Sequence, residues 1–303
     1  MRALSWLAVI AAALVGIAAD AAAQIATQPP RPDTLKVGSE WETRVRFSAA
    51  LSQSYLTTNW AGSEVGTAAW LSGIDAIAAK QLHPKFKIEN TLVLAFGQTH
   101  QQDQETGDWL RPVKSSDKID FDTIGRFTLG GFVDPYVAFT LDSQFYEERP
   151  GYGTKSLNPM SLGEFAGVAR EFRDTETVNL ISRLGFGVRQ RIDNFHGEDP
   201  NVREQVTNDG GFEFRTLGRF VGAGGRTEFK TDLYLYQAVY FSESEYDAAN
   251  RWKQVDVRWQ NTLDNKLYKA LTLSLYLDFV YDAQIRRAGQ LKQTLGVGLT
   301  YDL

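Results

Sequence analysis

From about Glu40 to the C-terminus, apolar and polar residues alternate with period two, the pattern of strands whose two faces meet different surroundings. In EWETRVRFSAALS, Trp41, Val45, Phe47, Ala49 and Leu51 share one face, and Glu42, Arg44, Arg46 and Ser48 share the other. IDFDTIGRFTL sets Ile119, Phe121, Phe127 and Leu129 against Asp120, Asp122 and Arg126. LISRLGFGVRQRID sets Leu180, Leu184, Phe186 and Val188 against Arg183, Gly185, Gly187, Arg189 and Arg191. The segments ALTLSLYLDFVYD and QLKQTLGVGLTYDL repeat the alternation near the C-terminus. About twelve strands are predicted in this way, near 40–56, 65–81, 85–99, 112–129, 135–149, 160–172, 179–194, 203–221, 226–243, 252–264, 269–284 and 290–303. The sixth, MSLGEFAGVAREF, alternates poorly.

The connections fall into two classes. After even strands they are short turns: His83-Pro84, Gly130-Gly131 onward, Arg173-Asp174-Thr175, Gly222-Ala223-Gly224-Gly225 and Asp264-Asn265-Lys266. After odd strands most are longer and polar, as in HQQDQETGDW, RPGYGTKSLNP, NFHGEDPNV and SESEYDAAN. Short turns at one end and long loops at the other are the layout of outer-membrane barrels, with the short turns and both termini in the periplasm.

Strand number then decides which face looks outward. About eight strands give an interior that side chains just fill, so a twelve-strand barrel with an apolar core would be too wide. With the apolar face turned outward, the pattern makes a belt for lipid, and a spanning strand needs only ~9–11 residues. The predicted fold class is therefore all-β, a transmembrane antiparallel up-and-down β-barrel of about 12 strands. Aromatics near strand ends, including Trp41, Tyr55, Phe86, Phe212, Phe220, Phe241, Phe279 and Tyr301, suit interfacial girdles. The competing reading is a soluble β-sandwich with large hairpins, but Gly and Arg together on the second face fit a lumen better than a solvent surface.

Ahead of this region, Met1-Arg2 precedes an apolar run from Leu4 to Ala19, and Ala21-Ala22-Ala23 offers a cleavage site before Gln24. That order is the order of a secretory signal. The expected organisation is a cleaved signal peptide over 1–23, a Pro-rich flexible periplasmic leader over 24–37 and an outer-membrane barrel domain over 38–303. Export to the outer membrane of a Gram-negative bacterium follows, with outer-membrane lipid and the barrel-insertion machinery as partners. The formal net charge of −5 gives no electrostatic case for nucleic acid. The absence of cysteine excludes disulfides, thiolate metal sites and a cysteine nucleophile. After the signal, no apolar run is long enough for a helical span.

Three stretches carry a family resemblance. Asn59-Trp60-Ala61-Gly62 follows the first strand, Lys114-Ser115-Ser116-Asp117-Lys118-Ile119-Asp120 opens the fourth, and Leu295-Gly296-Val297-Gly298-Leu299 lies in the last. Together they resemble an uncharacterised bacterial outer-membrane β-barrel family, the domain of unknown function 3078, known mainly from Bacteroidota, over roughly residues 36–303. The resemblance implies a signal-bearing outer-membrane barrel and brings no activity, cofactor or catalytic residue. The chain ends in Leu303, where such barrels commonly end in an aromatic, and Tyr301 lies two positions earlier on the same face.

Catalytic chemistry finds little purchase. Lipid-cleaving barrels place His and Ser two residues apart on one strand face, a spacing absent around His83, His100 and His196. His83 falls in a short turn. His100 lies near Asp103, Glu105 and Asp108, and His196 near Asp193, Glu198 and Asp199. Such loop clusters could activate water or help hold a divalent metal, although solvated loop residues explain the same facts. No catalytic, cofactor-binding or metal-ligating residue is assigned, and no cofactor is expected. The inner face carries more information. Arg44, Arg46, Arg126, Arg183, Arg189, Arg191, Arg215, Arg219 and Arg258 fall on it, with Asp120, Asp122, Asp142, Asp232, Asp256 and Asp278. Charges removed from water are costly unless paired, so this network either pairs within a closed barrel or lines a narrow, porin-like channel for small, anionic solutes. The expected function is thus non-enzymatic. An outer-membrane hydrolase using the loop His and carboxylates, or a surface adhesion barrel using loop residues such as Trp109 and Tyr152, stands as the alternative.

Overall fold

The structure, a computed structural model, describes residues 40–54, 65–149, 153–194, 205–246, 249–284 and 286–302. The expected signal peptide and leader, the Asn59–Gly62 stretch, Tyr55, Tyr152 and His196 with Glu198 and Asp199 lie outside the described residues. The alternating segments form β1 (Glu42–Ser54), β2 (Thr67–His83), β3 (Phe86–Gln101), β4 (Val113–Arg126) and β5 (Asp134–Ser143). Then come β6 (Tyr146–Arg149), β7 (Gly153–Ser156), β8 (Met160–Asp174), β9 (Val178–Asp193) and β10 (Gln205–Gly222). The series ends with β11 (Thr227–Phe241), β12 (Asp256–Tyr268), β13 (Leu271–Asp282) and β14 (Arg286–Asp302). Twelve of these close into one antiparallel barrel, in which β8 pairs with β5 and β14 with β1. Closure leaves the sheet no free end strand.

β6 and β7 stand apart as a two-stranded hairpin, so the expected fifth strand over 135–149 is two elements. The cause is local. The Asp117 carboxylate accepts the N–H of Phe145 at 2.6 Å and of Tyr146 at 3.2 Å, which takes these donors where β5 stops. The poorly alternating sixth segment is nevertheless a full strand, β8, paired on both edges. The expected turn at Asp264-Asn265-Lys266 is instead ladder, with Asp264 opposite Glu228 and Ser274, and the chain reverses at Lys269, where φ is 46°. Asp264 faces inward toward Lys230 at 3.6 Å, so its polarity serves the interior rather than a turn.

The wall has the two faces that the alternation requires. Outside, Leu51, Leu184, Phe186, Phe212, Leu291 and Leu299 are exposed. Inside, Ser48, Thr262, Thr272 and Ser274 are buried, each below 8% exposure. The interior is not uniformly polar: Leu71, Ile77, Val93 and Ala95 line one wall, and Tyr136, Phe165 and Tyr236 pack together elsewhere. Phe241, expected in a girdle, instead lines the interior, its ring 6.4 Å from Trp252. Its register opposite the inward-facing Asp209 turns it that way. Among the described residues one seam is short: β1 pairs with β14 from Arg46 to Ala49, against its pairing with β2 from Glu42 to Ser54.

Candidate functional site in the barrel interior

In an antiparallel ladder, directly opposed residues share a face. Register therefore carries the inward assignment around the wall, from Asp122 to Thr140 on β5 and from Arg183 to Arg215 and Tyr234 across β9, β10 and β11. The interior charges meet in three groups.

The central group is built on β4, β5, β9, β10 and β11. Arg215 donates to both carboxylate oxygens of Asp232, from Nε at 2.9 Å and Nη2 at 2.7 Å, and from Nη1 to Asp122 at 3.3 Å. The Asp232 contact runs to the neighbouring strand, whereas β4 and β10 lie four strands apart around the wall, so the Asp122 contact crosses the lumen. Arg183, 5% exposed, lies 3.2 Å from Glu213 and 3.6 Å from Asp122. Glu213 is buried on β10 and accepts the Tyr136 hydroxyl of β5 at 2.6 Å, a second contact across the interior. That hydroxyl comes so close to β9 that a Cβ on Gly185 would lie 2.2 Å from it, which is why the wall carries glycine there. The side chains also fill: Arg183 lies 5.7 Å from the Tyr136 ring, and Phe165 meets Tyr236 edge to face at 6.5 Å.

Toward the long-loop end, Arg189 binds Asp209 at 2.8 Å and Asp256 at 3.3 Å, and its guanidinium lies 3.5 Å from the Tyr236 ring. Arg258 binds Asp278 at 3.2 Å, and Asp120 binds Lys118 at 2.9 Å. Asp142 stands directly opposite Asp120 in the ladder. Arg189, Arg191, Asp209, Arg258, Asp120 and Asp142 line a chamber of about 610 Å³. Toward the short-turn end, Glu228 is bound by Arg219 and lies 3.9 Å from Arg46 and 3.6 Å from Lys230. Arg44, Arg46 and Arg219 line a pocket of about 220 Å³ there. Arg126 pairs instead with Glu171 at 2.7 Å.

The structure thus brings most of the named arginines and aspartates into pairs, with Asp142 and Arg191 on the chamber wall and Arg44 in the inner pocket. Sequence reasoning missed Glu213, Glu228, Lys230, Asp209 and Tyr136, which complete the groups. Alternation could have found the charged ones, since Glu213 lies two residues from Arg215 and Glu228 two from Lys230. Tyr136 carried no such signal, because an aromatic scores as wall-facing.

The loops show separate chemistry. His100 stands in the ladder opposite Ala68, and Trp109 is exposed and bridged to Gln102. The Asp103 carboxylate accepts the N–H of Thr106 at 2.8 Å and of Glu105 at 2.9 Å. These bonds to the anion hold the carboxyl below the usual carboxylate range. The group closes a turn. Among the described residues, no three His, Asp or Glu side chains converge as a metal site would require.

A family model described as "Protein of unknown function (DUF3078)" matches residues 51–148, less than half of the chain and shorter than the span from 36 to 303 read from the sequence. No curated protein matches. Among solved structures, the chain is similar to an outer membrane channel from Pseudomonas putida F1, with 13% identity and a TM-score of 0.45 over 91% of this chain and 98% of that one. It is also similar to the translocator domain of the autotransporter NalP from Neisseria meningitidis, with 8% identity and a TM-score of 0.37 over 87% and 89% of the two chains. The β domain of the Bordetella autotransporter BrkA shows 12% identity and a TM-score of 0.32 over 86% and 97%.

Proposed function

We propose that the protein is a non-enzymatic outer-membrane barrel whose lumen is closed by its own charged side chains. The observation that carries this reading is Arg215, which clamps Asp232 beside it and reaches Asp122 across the interior. Arg183, Glu213 and Tyr136 thicken the same layer. The apolar exterior supports a place in lipid, and strands of 10 to 18 residues meet the span a membrane requires. The signal over 1–23 would deliver the chain for export, and lipid and the barrel-insertion machinery are the partners in this reading.

A narrow channel for small anionic solutes is the second reading, favoured by the cavities of about 610 and 220 Å³ that enter the lumen from its two ends. Planar-bilayer recording separates the two. The folded wild type is expected to give no discrete current steps, and the double variant Arg183→Ala, Arg215→Ala is expected to give them. Anion-selective steps from the wild type would sink the closed barrel and establish the channel.

A further inference from the structure

Most charges in the interior are paired, but one row of side chains on its wall is not. Asp142 on β5 stands opposite Ser161 on β8, Ser161 opposite Arg191 on β9, and Arg191 opposite Thr207 on β10. Directly opposed residues share a face, so all of them point into the chamber of about 610 Å³ that they line. Among the described residues, none of these side chains makes a hydrogen bond or an ion pair. Asp142 and Arg191 are both exposed to the chamber. The cations within electrostatic reach of Asp142 are Lys118, Arg258 and Arg215, and each already binds another carboxylate: Asp120, Asp278 and Asp232 in turn. Asp120 itself stands opposite Asp142, which adds negative potential there instead of relieving it.

The row lies within a few residues of the strand ends: β5 stops at Ser143, β8 begins at Met160, β9 stops at Asp193 and β10 begins at Gln205. A solute entering from the long-loop end therefore meets it before the layer of Arg183, Glu213 and Arg215, which lines the same chamber deeper along the strands. Neighbouring strands lie ~4.8 Å apart, so the backbones that carry Asp142 and Arg191 are ~10 Å apart across β8. The two opposite charges face one cavity without pairing with each other. We propose that this row binds a small zwitterion, a free amino acid or short peptide, with its ammonium on Asp142 and its carboxylate on Arg191. A guanidinium fork matches the two oxygens of a carboxylate. Ser161 and Thr207 place hydroxyls on either side of that fork. A ligand of a single sign would leave one of the two protein charges without a partner, so the row selects molecules that carry both. The site stands above the closing layer and does not depend on whether the lumen conducts.

The test is calorimetric titration of the folded full-length barrel in a nonionic detergent, with dialanine as probe. N-acetyl-dialanine, which lacks the ammonium, and dialanine amide, which lacks the carboxylate, are the controls. Dialanine is expected to bind saturably, and each blocked peptide at least ~10-fold more weakly, for the loss of one charge-assisted contact. Arg191→Gln is expected to weaken dialanine by a similar factor and to leave dialanine amide unchanged. Asp142→Asn is expected to weaken dialanine as much and to leave N-acetyl-dialanine unchanged. The heat-dependent gel shift reports that each variant is folded, and should one fail to fold, the blocked peptides on the wild type still decide. No saturable binding of dialanine, equal binding of the three peptides, or a folded variant that binds dialanine as the wild type does would overturn the site. A variant that weakens all three peptides alike would overturn the assignment of one ligand charge to each residue.

Discussion

Arg215, Arg183 and Glu213 show how a side chain in this interior acquires its role from neighbours that the chain brings from far away. Arg215 and Asp122 are 93 residues apart in sequence, and Tyr136 and Glu213 are 77 apart. A buried carboxylate oxygen with no donor is costly, so the Tyr136 hydroxyl matters beyond the bond it makes. Tyr136→Phe keeps the ring and removes only the donor. We expect it to lower barrel stability by about 1–3 kcal/mol, read from urea unfolding in lipid vesicles. A neutral result would mean that Glu213 is satisfied by Arg183 alone. The arginines and aspartates at this scale were legible, because a charge at every second position of an otherwise apolar strand has one face to occupy. Which charge meets which was not legible, since opposing strands meet only in the closed barrel.

At the scale of elements, periodicity placed twelve strands within a few residues of where they run, including β8, whose alternation is weak because Gly163, Gly167 and Ala169 face inward where larger polar groups would signal. The small residues are needed by position. A Cβ on Gly167 would lie 2.2 Å from the Leu184 carbonyl oxygen, and one on Gly163 would meet the Phe165 ring at 2.7 Å. The hairpin of β6 and β7 was hidden, because its residues continue the alternation of β5 while Asp117 on β4 ends the ladder. Its anchoring is mainly polar, with the Tyr146 ring also 5.9 Å from that of Phe96: Lys114 binds Asp117 at 2.8 Å, and Arg149 reaches Asp193 at the end of β9 at 3.1 Å. The Asn158 amide joins Glu147 at 2.7 Å and Asp193 at 3.1 Å. Asp117→Ala removes the acceptor for two backbone donors and the partner of Lys114. It is expected to loosen the hairpin without unfolding the barrel, seen as faster tryptic cleavage after Lys155 with an unchanged heat-dependent gel shift. Cleavage at the wild-type rate would show that Arg149 and Asn158 suffice.

For the whole molecule, closure rests on the interface that is shortest among the described residues, the pairing of β1 with β14 over Arg46–Ala49. In the membrane setting of the proposed function, opening there would free strand edges whose backbone groups find no partner in lipid, so this seam is the expected first point of failure. Ser48 and Thr300 are directly opposed across it. The pair Ser48→Cys, Thr300→Cys, oxidised, is expected to stabilise the barrel by about 2–4 kcal/mol over its reduced form, raising the temperature of the gel shift. No rise on oxidation would place the first opening elsewhere. The sequence by itself determined strand number, chain order, the apolar outer face and the alignment of short turns at one end, because each depends on local periodicity and turn composition. Only the tertiary structure decided that Arg215 reaches Asp122 and that Tyr136 fills the space beside Gly185. Those outcomes depend on the stagger between strands and on distances across the lumen, which alternation along a single strand does not encode.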